Sequence, residues 1–399
     1  MTTARKPLEG LKVLELGQLI AGPFAGKCFA EFGADVIKVE PPGSGDPLRK
    51  WRSLHNGTSL WWFVQNRAKK SITVDLRVPD GQEIVRKLAV DADVIIENFR
   101  PGTMEKWGLG YEALSKVNPG LVMLRLSGFG QTGPMRDQAG FGSVGESMGG
   151  LRYVTGFPER APVRPNLSIG DALASLHGVI GTMMALHHRD KNGGKGQVVD
   201  VALYEAVFNM MEGSLPEFDM YGLIRERTGT NLTGIVPSNT YLAKDGQHVV
   251  IGGNGDSIFK RLMHLIGRSD FAEDPALADN AGRATRGDDL DGAIGEWTAK
   301  YPVDDVVRML NEAQVPNGKI YSMADISRDP QYLAREMIRT VALNDGTKLK
   351  VPGVVPKLSE TPGDVGWVGP QLGEHTQSVL EGIGYSSADI ASLKERKVI

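Results

Sequence analysis

Four groups of residues in this 399-residue chain have types and spacings that could do chemistry. Gly170-Asp171 opens the longest helix-like segment, Ala172–Arg189. A carboxylate at that place has two uses. It can cap the helix by accepting from an unpaired backbone N–H. Alternatively, kept ionised by the helix dipole and neighbouring amides, it can attack an activated acyl group and form a covalent intermediate. Residue type alone leaves both open. Gly128-Phe129-Gly130-Gln131-Thr132-Gly133 follows a strand-like run and matches G-x-G-x-x-G. A dinucleotide site needs a helix and a well-spaced acidic residue after it; here Pro134 and polar residues follow, so we read a glycine loop near a pocket. Gly145-Glu146-Ser147-Met148-Gly149 matches G-x-S-x-G, but no strand runs into Ser147, and a small-residue turn is the reading. The histidines contain no H-E-x-x-H, and the adjacent His187 and His188 point to different helix faces, so no metal site is expected.

These groups must be positioned by the elements around them. Leu11–Leu16, Asp35–Glu40, Ser71–Leu76, Asp93–Phe99 and Leu121–Leu126 are short β-type runs, with helical segments such as Gln82–Val90 between several of them. The alternation predicts an α/β fold with a parallel sheet covered by helices. Ligands of such a sheet bind at the carboxyl ends of its strands, here 16–23, 40–45, 76–79 and 97–102. Gln197–Leu203 reads as a further strand after the helix stop Asn192-Gly193-Gly194. Beyond about residue 220 the elements shorten, with a hairpin turning at Asp245-Gly246 and helices near 257–267 and 303–313. The expected organisation is a large domain from 1–220 and a returning tail 326–399, plus a smaller α+β domain over 221–325.

Composition narrows the function classes. With 45 basic against 48 acidic residues and no long single-sign block, a nucleic-acid or membrane-surface partner is not expected. Cys28 is the only cysteine, which excludes an intramolecular disulfide and suits a reducing compartment. Met1–Gly10 has no apolar stretch of the signal-peptide kind, and no window approaches 18 consecutive apolar residues. The expected location is cytoplasmic.

The order of the segments adds a resemblance. LKVLELGQLIAGPFAGKCFAEFGADVIKVEPPGSGDPLR, NRAKKSITVDL, ADVIIENFRPGTMEKWGL, NLSIGDALASLHGVIGTMMALHHRDKNGGKGQVVDVALYEA and LGEHTQSVLEGIGYS occur in this order from about Leu8 to the C-terminus. In this arrangement the chain resembles the family III CoA-transferases, the family of formyl-CoA transferase and carnitine CoA-transferase. The resemblance implies a Rossmann-like large domain, a small domain and an interlocked homodimer. It also implies that Asp171 is the nucleophile, passing through an aspartyl anhydride and an aspartyl-CoA thioester. Coenzyme A and its acyl thioester are then substrates, a small carboxylic acid is the other partner, and no tightly bound cofactor is expected.

CoA-binding positions carry over from the family one by one. Ile20 and Ala21 match the first loop, which meets CoA through backbone. Val74, Asp75, Leu76 and Arg77 match the segment along adenine and phosphates, Asn98, Phe99 and Arg100 the loop near pantetheine, and Lys106 a phosphate-facing basic residue. Pro41 stands where formyl-CoA transferase has an arginine, leaving Arg49, Arg52 or Lys38 to replace that contact. Ala139–Ser143 lacks the tyrosine and acidic residue of the formyl enzyme, and its glycine-rich closing loop is missing, so formyl and oxalyl chemistry is disfavoured. Phe141 occupies the place of the histidine of α-methylacyl-CoA racemases, which leaves Asp171 without a second base for proton transfer at the α-carbon. The expected reaction moves CoA from a short acyl-CoA, succinyl-CoA first, to a carboxylic acid. A dicarboxylic acceptor is favoured because Arg52, Arg67 and Arg164 could meet a second carboxylate. Racemase chemistry and a non-catalytic CoA-binding role are the alternatives. Gln18, Phe141, Met148, Tyr241 and Asn254 are candidates around the acyl group.

Overall fold

Val13 and Leu14, Val94 and Ile95, Val122 and Met123 are consecutive apolar residues that point to opposite faces of one sheet and enter two different cores. Strands buried on both sides need helices on both. The computed structural model describes residues 6–399 and has this arrangement. Strands β1 (Lys12–Glu15), β2 (Asp35–Glu40), β3 (Lys70–Thr73), β4 (Val94–Glu97), β5 (Val122–Ser127) and β6 (Val198–Ala202) form a sheet in the order β3-β2-β1-β4-β5-β6. Every neighbouring pair is parallel. The chain steps outward from β1 to β3, then returns to the other side of β1. The loops after β1 and β4 therefore diverge and leave a crevice between them.

One face carries helix α1 (Ala21–Glu31), whose buried residues are small except for Phe29, Pro23 and Glu31. The other face carries α2 (Pro79–Ala89) together with tail residues Leu380, Ile390 and Leu393, which share its core. The tail is tied to the edge strand: Asp75 N–H donates to the Val398 carbonyl at 2.8 Å, and Thr73 N–H to Thr376 Oγ1 at 3.0 Å.

After β5 come α3 (Gly142–Met148), α4 (Ile169–Lys191) and α5 (Leu203–Phe208). Helix α4 is long and apolar enough to cross a membrane by length and composition alone. Its Gly170, Ala174, Ser175, Gly178, Thr182, Ala185 and Leu186 are nevertheless buried, and it packs on α1, α5, β5 and β6, as a core helix does. It begins earlier than expected. Ser168 holds the N-cap position, so Asp171 is the third helical residue and not the cap.

The chain divides into two compact units. One comprises the described residues up to Leu151 with Pro165–Glu212 and Leu333–Ile399; the other comprises Arg152–Arg164 and Gly213–Tyr332. The boundaries differ from the expected 220/221 and 325/326. The helix Ser214–Tyr221 belongs to the smaller unit, as does Arg152–Arg164, which Tyr153 holds there by donating to Glu226 at 2.5 Å and accepting at its carbonyl from Arg227 at 2.9 Å. That unit is built on the hairpin Ser238–Leu242/His248–Gly252 with Asn317–Lys319 as third strand. Helices Asp256–Leu265, Gly287–Thr298 and Val303–Glu312 cover it around a core of Val249, Ile251, Phe259, Leu262 and Trp297.

Candidate active site

Charged residues stand at the carboxyl ends of the central strands, and their pairing follows from register. Glu15 of β1 lies directly beside Lys38 of β2, and Glu97 of β4 beside Arg125 of β5. Lys38 Nζ meets Glu15 Oε1 at 2.9 Å and Asp46 Oδ2 at 2.9 Å, and donates to the Gly17 carbonyl at 2.8 Å. Lys69 Nζ reaches Glu15 Oε2 at 2.7 Å and the Pro23 carbonyl at 2.7 Å. Both lysines and both acids are buried. Gly26 of α1 leaves room for this cluster; a Cβ there would overlap Glu15 Oε2. Burial pushes the Lys69 ammonium down to about 8, with Glu15 opposing the shift. Burial also acts to lower Lys38, but Asp46 and Glu15 outweigh it and hold Lys38 above the ordinary lysine value.

The cluster braces the loop that leaves β1. Leu19 has φ +63°, a left-handed conformation rare for a branched residue. Its N–H donates to both oxygens of Asp46, at 3.0 and 3.1 Å. Asn98 grips the residue before it, accepting from Gln18 N–H and donating to the Gln18 carbonyl, each at 2.8 Å. Gln65 Nε2 donates to the Ile20 carbonyl at 3.0 Å. Side chains from four separate segments thus fix one strained turn.

Beyond that turn lies a cavity of about 340 Å³ at the ends of β1, β2, β3 and β4. Five of the expected CoA contacts line it: Val74, Asp75, Leu76, Arg77 and Phe99. Gln18, Pro41, Pro42, Ser44 and Trp107 complete much of the wall. Phe99 and Trp107 meet edge to face at 5.2 Å between ring centroids. Arg77 is exposed at the rim and forks onto Asp75 at 2.9 and 2.8 Å, and this bonding holds the Asp75 carboxyl below the usual range.

The other expected contacts are placed differently. Ile20 and Ala21 are buried at the start of α1, with their carbonyls accepting from Gln65 and Ser175. The Asn98 side chain turns back onto Gln18 and is a brace rather than part of the cavity wall. Arg100 and Lys106 are exposed, and neither lines the cavity; Lys106 ends the short helix Thr103–Lys106 just before Trp107. Neither Arg49 nor Lys38 can replace the contact missing at Pro41. Arg49 is buried against Trp62 and forks onto Glu40 at 2.7 and 2.8 Å, and Lys38 sits in the cluster described above. Sequence alone does not single out Pro42, Ser44 and Trp107, although Pro42 and Ser44 fall in the segment 40–45, an expected ligand-facing strand end.

Asp171 stands in the first turn of α4, where helix amides favour an ionised carboxylate. The backbone of Gly142, at the start of α3, passes so close that a Cβ there would overlap Asp171 Oδ2. Glu146 of α3 is buried and accepts from Gly170 N–H at 3.4 Å. Ser175 Oγ is 2.7 Å from the Asp171 carbonyl and 2.7 Å from the Ala21 carbonyl, so the turn carrying Asp171 is joined to the start of α1 just beyond the braced loop. Ser147 lies inside α3 with its hydroxyl donating back to Ser143 O at 2.9 Å. The expected turn there is a helix, and no nucleophile elbow forms. The loop at Gly128–Gly133 is irregular, with Gly130 and Gln131 N–H donating to Ser127 and Asp200. Of the acyl-side candidates, Gln18 lines the cavity, Phe141 precedes α3, and Met148 ends α3 exposed. Tyr241 is buried in the smaller unit with its hydroxyl on Asp291 at 2.6 Å. Asn254 also belongs to that unit, its carbonyl accepting from Arg283.

Comparison with known proteins finds one family model, CoA-transferase family III, matching residues 8–376. A succinyl-CoA–D-citramalate CoA-transferase of Chloroflexus aurantiacus is 49% identical over 99% of this chain and 98% of its own length. The alpha subunit of a succinyl-CoA–L-malate CoA-transferase from Chloroflexus aurantiacus is 40% identical over 98% of this chain and 92% of that protein. Among solved structures, a CAIB/BAIF family protein from Brucella suis superposes with a TM-score of 0.83 at 34% identity, covering 95% of this chain and all of that one.

Proposed function

Because the chain belongs to CoA-transferase family III, it is a CoA-transferase, and we propose that Asp171 is its covalent nucleophile, with succinyl-CoA as donor and a dicarboxylic acid as acceptor. The observation that carries the assignment is Asp171 in the first turn of α4, with the Gly142 backbone packed against its carboxylate. The helix end favours the anion, and the glycine gives the carboxylate room that any larger residue at position 142 would take.

The steps balance without any cofactor. An Asp171 oxygen attacks the thioester carbonyl carbon, the C–S bond breaks, and CoA leaves as thiolate from a mixed anhydride. The thiolate attacks the Asp171 carbonyl carbon and expels succinate, leaving an aspartyl-CoA thioester. The acceptor carboxylate attacks that thioester and expels the thiolate. The thiolate then attacks the acceptor's acyl carbon and restores the Asp171 carboxylate. Carboxylates and thiolates exchange, and the thioester's activation is carried through. Each addition builds an oxyanion that positioned N–H donors would stabilise.

CoA is proposed to lie in the crevice at the ends of β1 to β4, with Phe99 and Trp107 as its apolar wall. Arg77, Arg100 and Lys106 are the basic residues offered to its phosphates. The proposed assembly is a homodimer. It is supported by the exposed apolar row Leu176, Ile180, Met183 and Met184 along α4, a surface that a monomer would leave in water.

The test is mass-spectrometric. Wild type and Asp171→Asn are mixed with succinyl-CoA and a panel of mono- and dicarboxylic acids. New acyl-CoA is expected from the wild type alone. Heavy oxygen from a labelled acceptor carboxylate should enter the peptide that carries Asp171. Product formation by Asp171→Asn at the wild-type rate, or α-proton exchange without any acid acceptor, would overturn the reading.

A further inference from the structure

Three arginines were candidates for a second carboxylate, and their surroundings separate them. Arg67 is buried: its Nε donates to Glu31 Oε1 at 2.7 Å and its Nη1 to the Pro352 carbonyl at 2.6 Å. Its fork is occupied by the fold. Arg164 belongs to the smaller unit. Arg52 lies in the same unit as Asp171 and lines a cavity of about 380 Å³ with Ser53, Leu60, Trp61, Leu167 and Ser168. Ser168 is the N-cap of α4, so this cavity adjoins the turn that presents Asp171.

The chain around Arg52 is shaped to hold it there. Arg52 has φ +57°, a left-handed conformation that L side chains seldom take and that clusters at functional sites. Asp46 caps the turn Pro47–Lys50 just before it, and Leu60 N–H closes onto the Ser53 carbonyl at 2.9 Å just after it. The guanidinium lies 4.8 Å from the centroid of the Trp61 ring, which limits its rotamers without using its N–H donors. A planar fork in a cavity that reaches the N-cap of α4, three residues before Asp171, matches a second carboxylate better than a flexible ammonium would.

We propose that Arg52 binds the distal carboxylate of the dicarboxylic substrate while the other carboxyl reacts at Asp171; this rests on the transferase reading given above. It makes Arg52 a specificity residue that separates dicarboxylic acids from monocarboxylic acids of equal length.

The experiment uses butyryl-CoA as donor, so that only the acceptor carries a second carboxylate. Malate and 2-hydroxybutyrate are compared as acceptors. In Arg52→Gln and Arg52→Gly the ratio of kcat/KM for malate over 2-hydroxybutyrate should fall by about 10- to 100-fold, mainly through a higher KM for malate. Arg52→Lys, which keeps the charge without the fork, should fall between. Arg52→Gly accepts the left-handed backbone without strain, so its loss of discrimination is not a folding defect. A ratio within twofold of wild type in both Arg52→Gln and Arg52→Gly overturns the assignment. Should the wild type form no aspartyl-CoA thioester and no new acyl-CoA with succinyl-CoA as donor either, the transferase reading itself fails and the Arg52 assignment falls with it. Transfer from succinyl-CoA to malate and 2-hydroxybutyrate alike in the wild type would overturn the Arg52 assignment alone.

Discussion

A single missing methyl group sets where the Asp171 carboxylate can lie. Gly142 faces it so closely that an alanine Cβ would overlap Oδ2, and the atom in the way is the far end of a side chain that can swing. Gly142→Ala is therefore expected to fold normally while displacing the nucleophile. A displacement of this size is worth on the order of 100-fold in kcat with KM little changed. Steady-state kinetics beside a thermal melt check it, and an unchanged kcat would remove Gly142 from the site. At this scale the sequence was informative about residue type and poor about partners. Asp171 at a helix start was visible as a carboxylate suited to attack, and Val74–Arg77 and Phe99 do line the crevice. Asn98, Arg49, Arg67 and Tyr241 look equally available in a string of letters. Each is bonded to a group far away in sequence: Gln18, the Pro370 carbonyl, Glu31 and Asp291. Sequence separation hides such partners because register and loop geometry create them.

The element that most needs explaining is the turn after β1. Its strain at Leu19 is tolerated because Asp46, Asn98, Lys38 and Gln65 bond its backbone at once, and buried Glu15, itself bonded to Lys69, holds Lys38 in place. The strands themselves were legible, since runs apolar on both faces have few other readings. The start of α4 was not, because the apolar spacing begins at Ala172 while the first turn is built from Ile169 and Gly170. The buried ions also have a consequence for pH. Below pH 8 the folded chain carries the cost of an ammonium buried at Lys69. From about 8 to about 10.5 the unfolded chain alone keeps that proton, so unfolding takes up a proton and stability rises with pH. Lys38 acts in the opposite sense, but its proton is lost only above the unfolded lysine value, so its effect begins higher. Wild type should gain about 2 kcal/mol on Lys69→Met between pH 8 and pH 10. Urea denaturation at each pH reads the difference, and parallel curves for the two proteins would show that Lys69 does not titrate in this window.

At the scale of the whole molecule, the order of segments along the chain made the family recognisable, and the family model spans residues 8–376. The boundary of the smaller unit was less readable, because the helix Ser214–Tyr221 continues the apolar texture of the helix before it. Association belongs to this scale as well. On α4 a buried stripe through Gly170, Ala174 and Gly178 alternates with the exposed row Leu176, Ile180, Met183 and Met184, of which Met184 is 67% exposed. Helix–sheet packing within one chain accounts for the first and leaves the second in water. The proposed homodimer would cover it, and the resemblance adds that the partners interlock. Interlocking separates two kinds of dimer by experiment. Chains that merely touch dissociate on dilution into folded monomers. Chains threaded through each other part only by unfolding, so folding and association become one equilibrium. Sedimentation should then give about twice 43.1 kDa, unchanged on dilution to nanomolar concentration. The denaturation midpoint should rise with protein concentration over the same range. A folded monomer at low concentration, with a midpoint independent of concentration, would reject the interlock and leave the α4 row needing another partner.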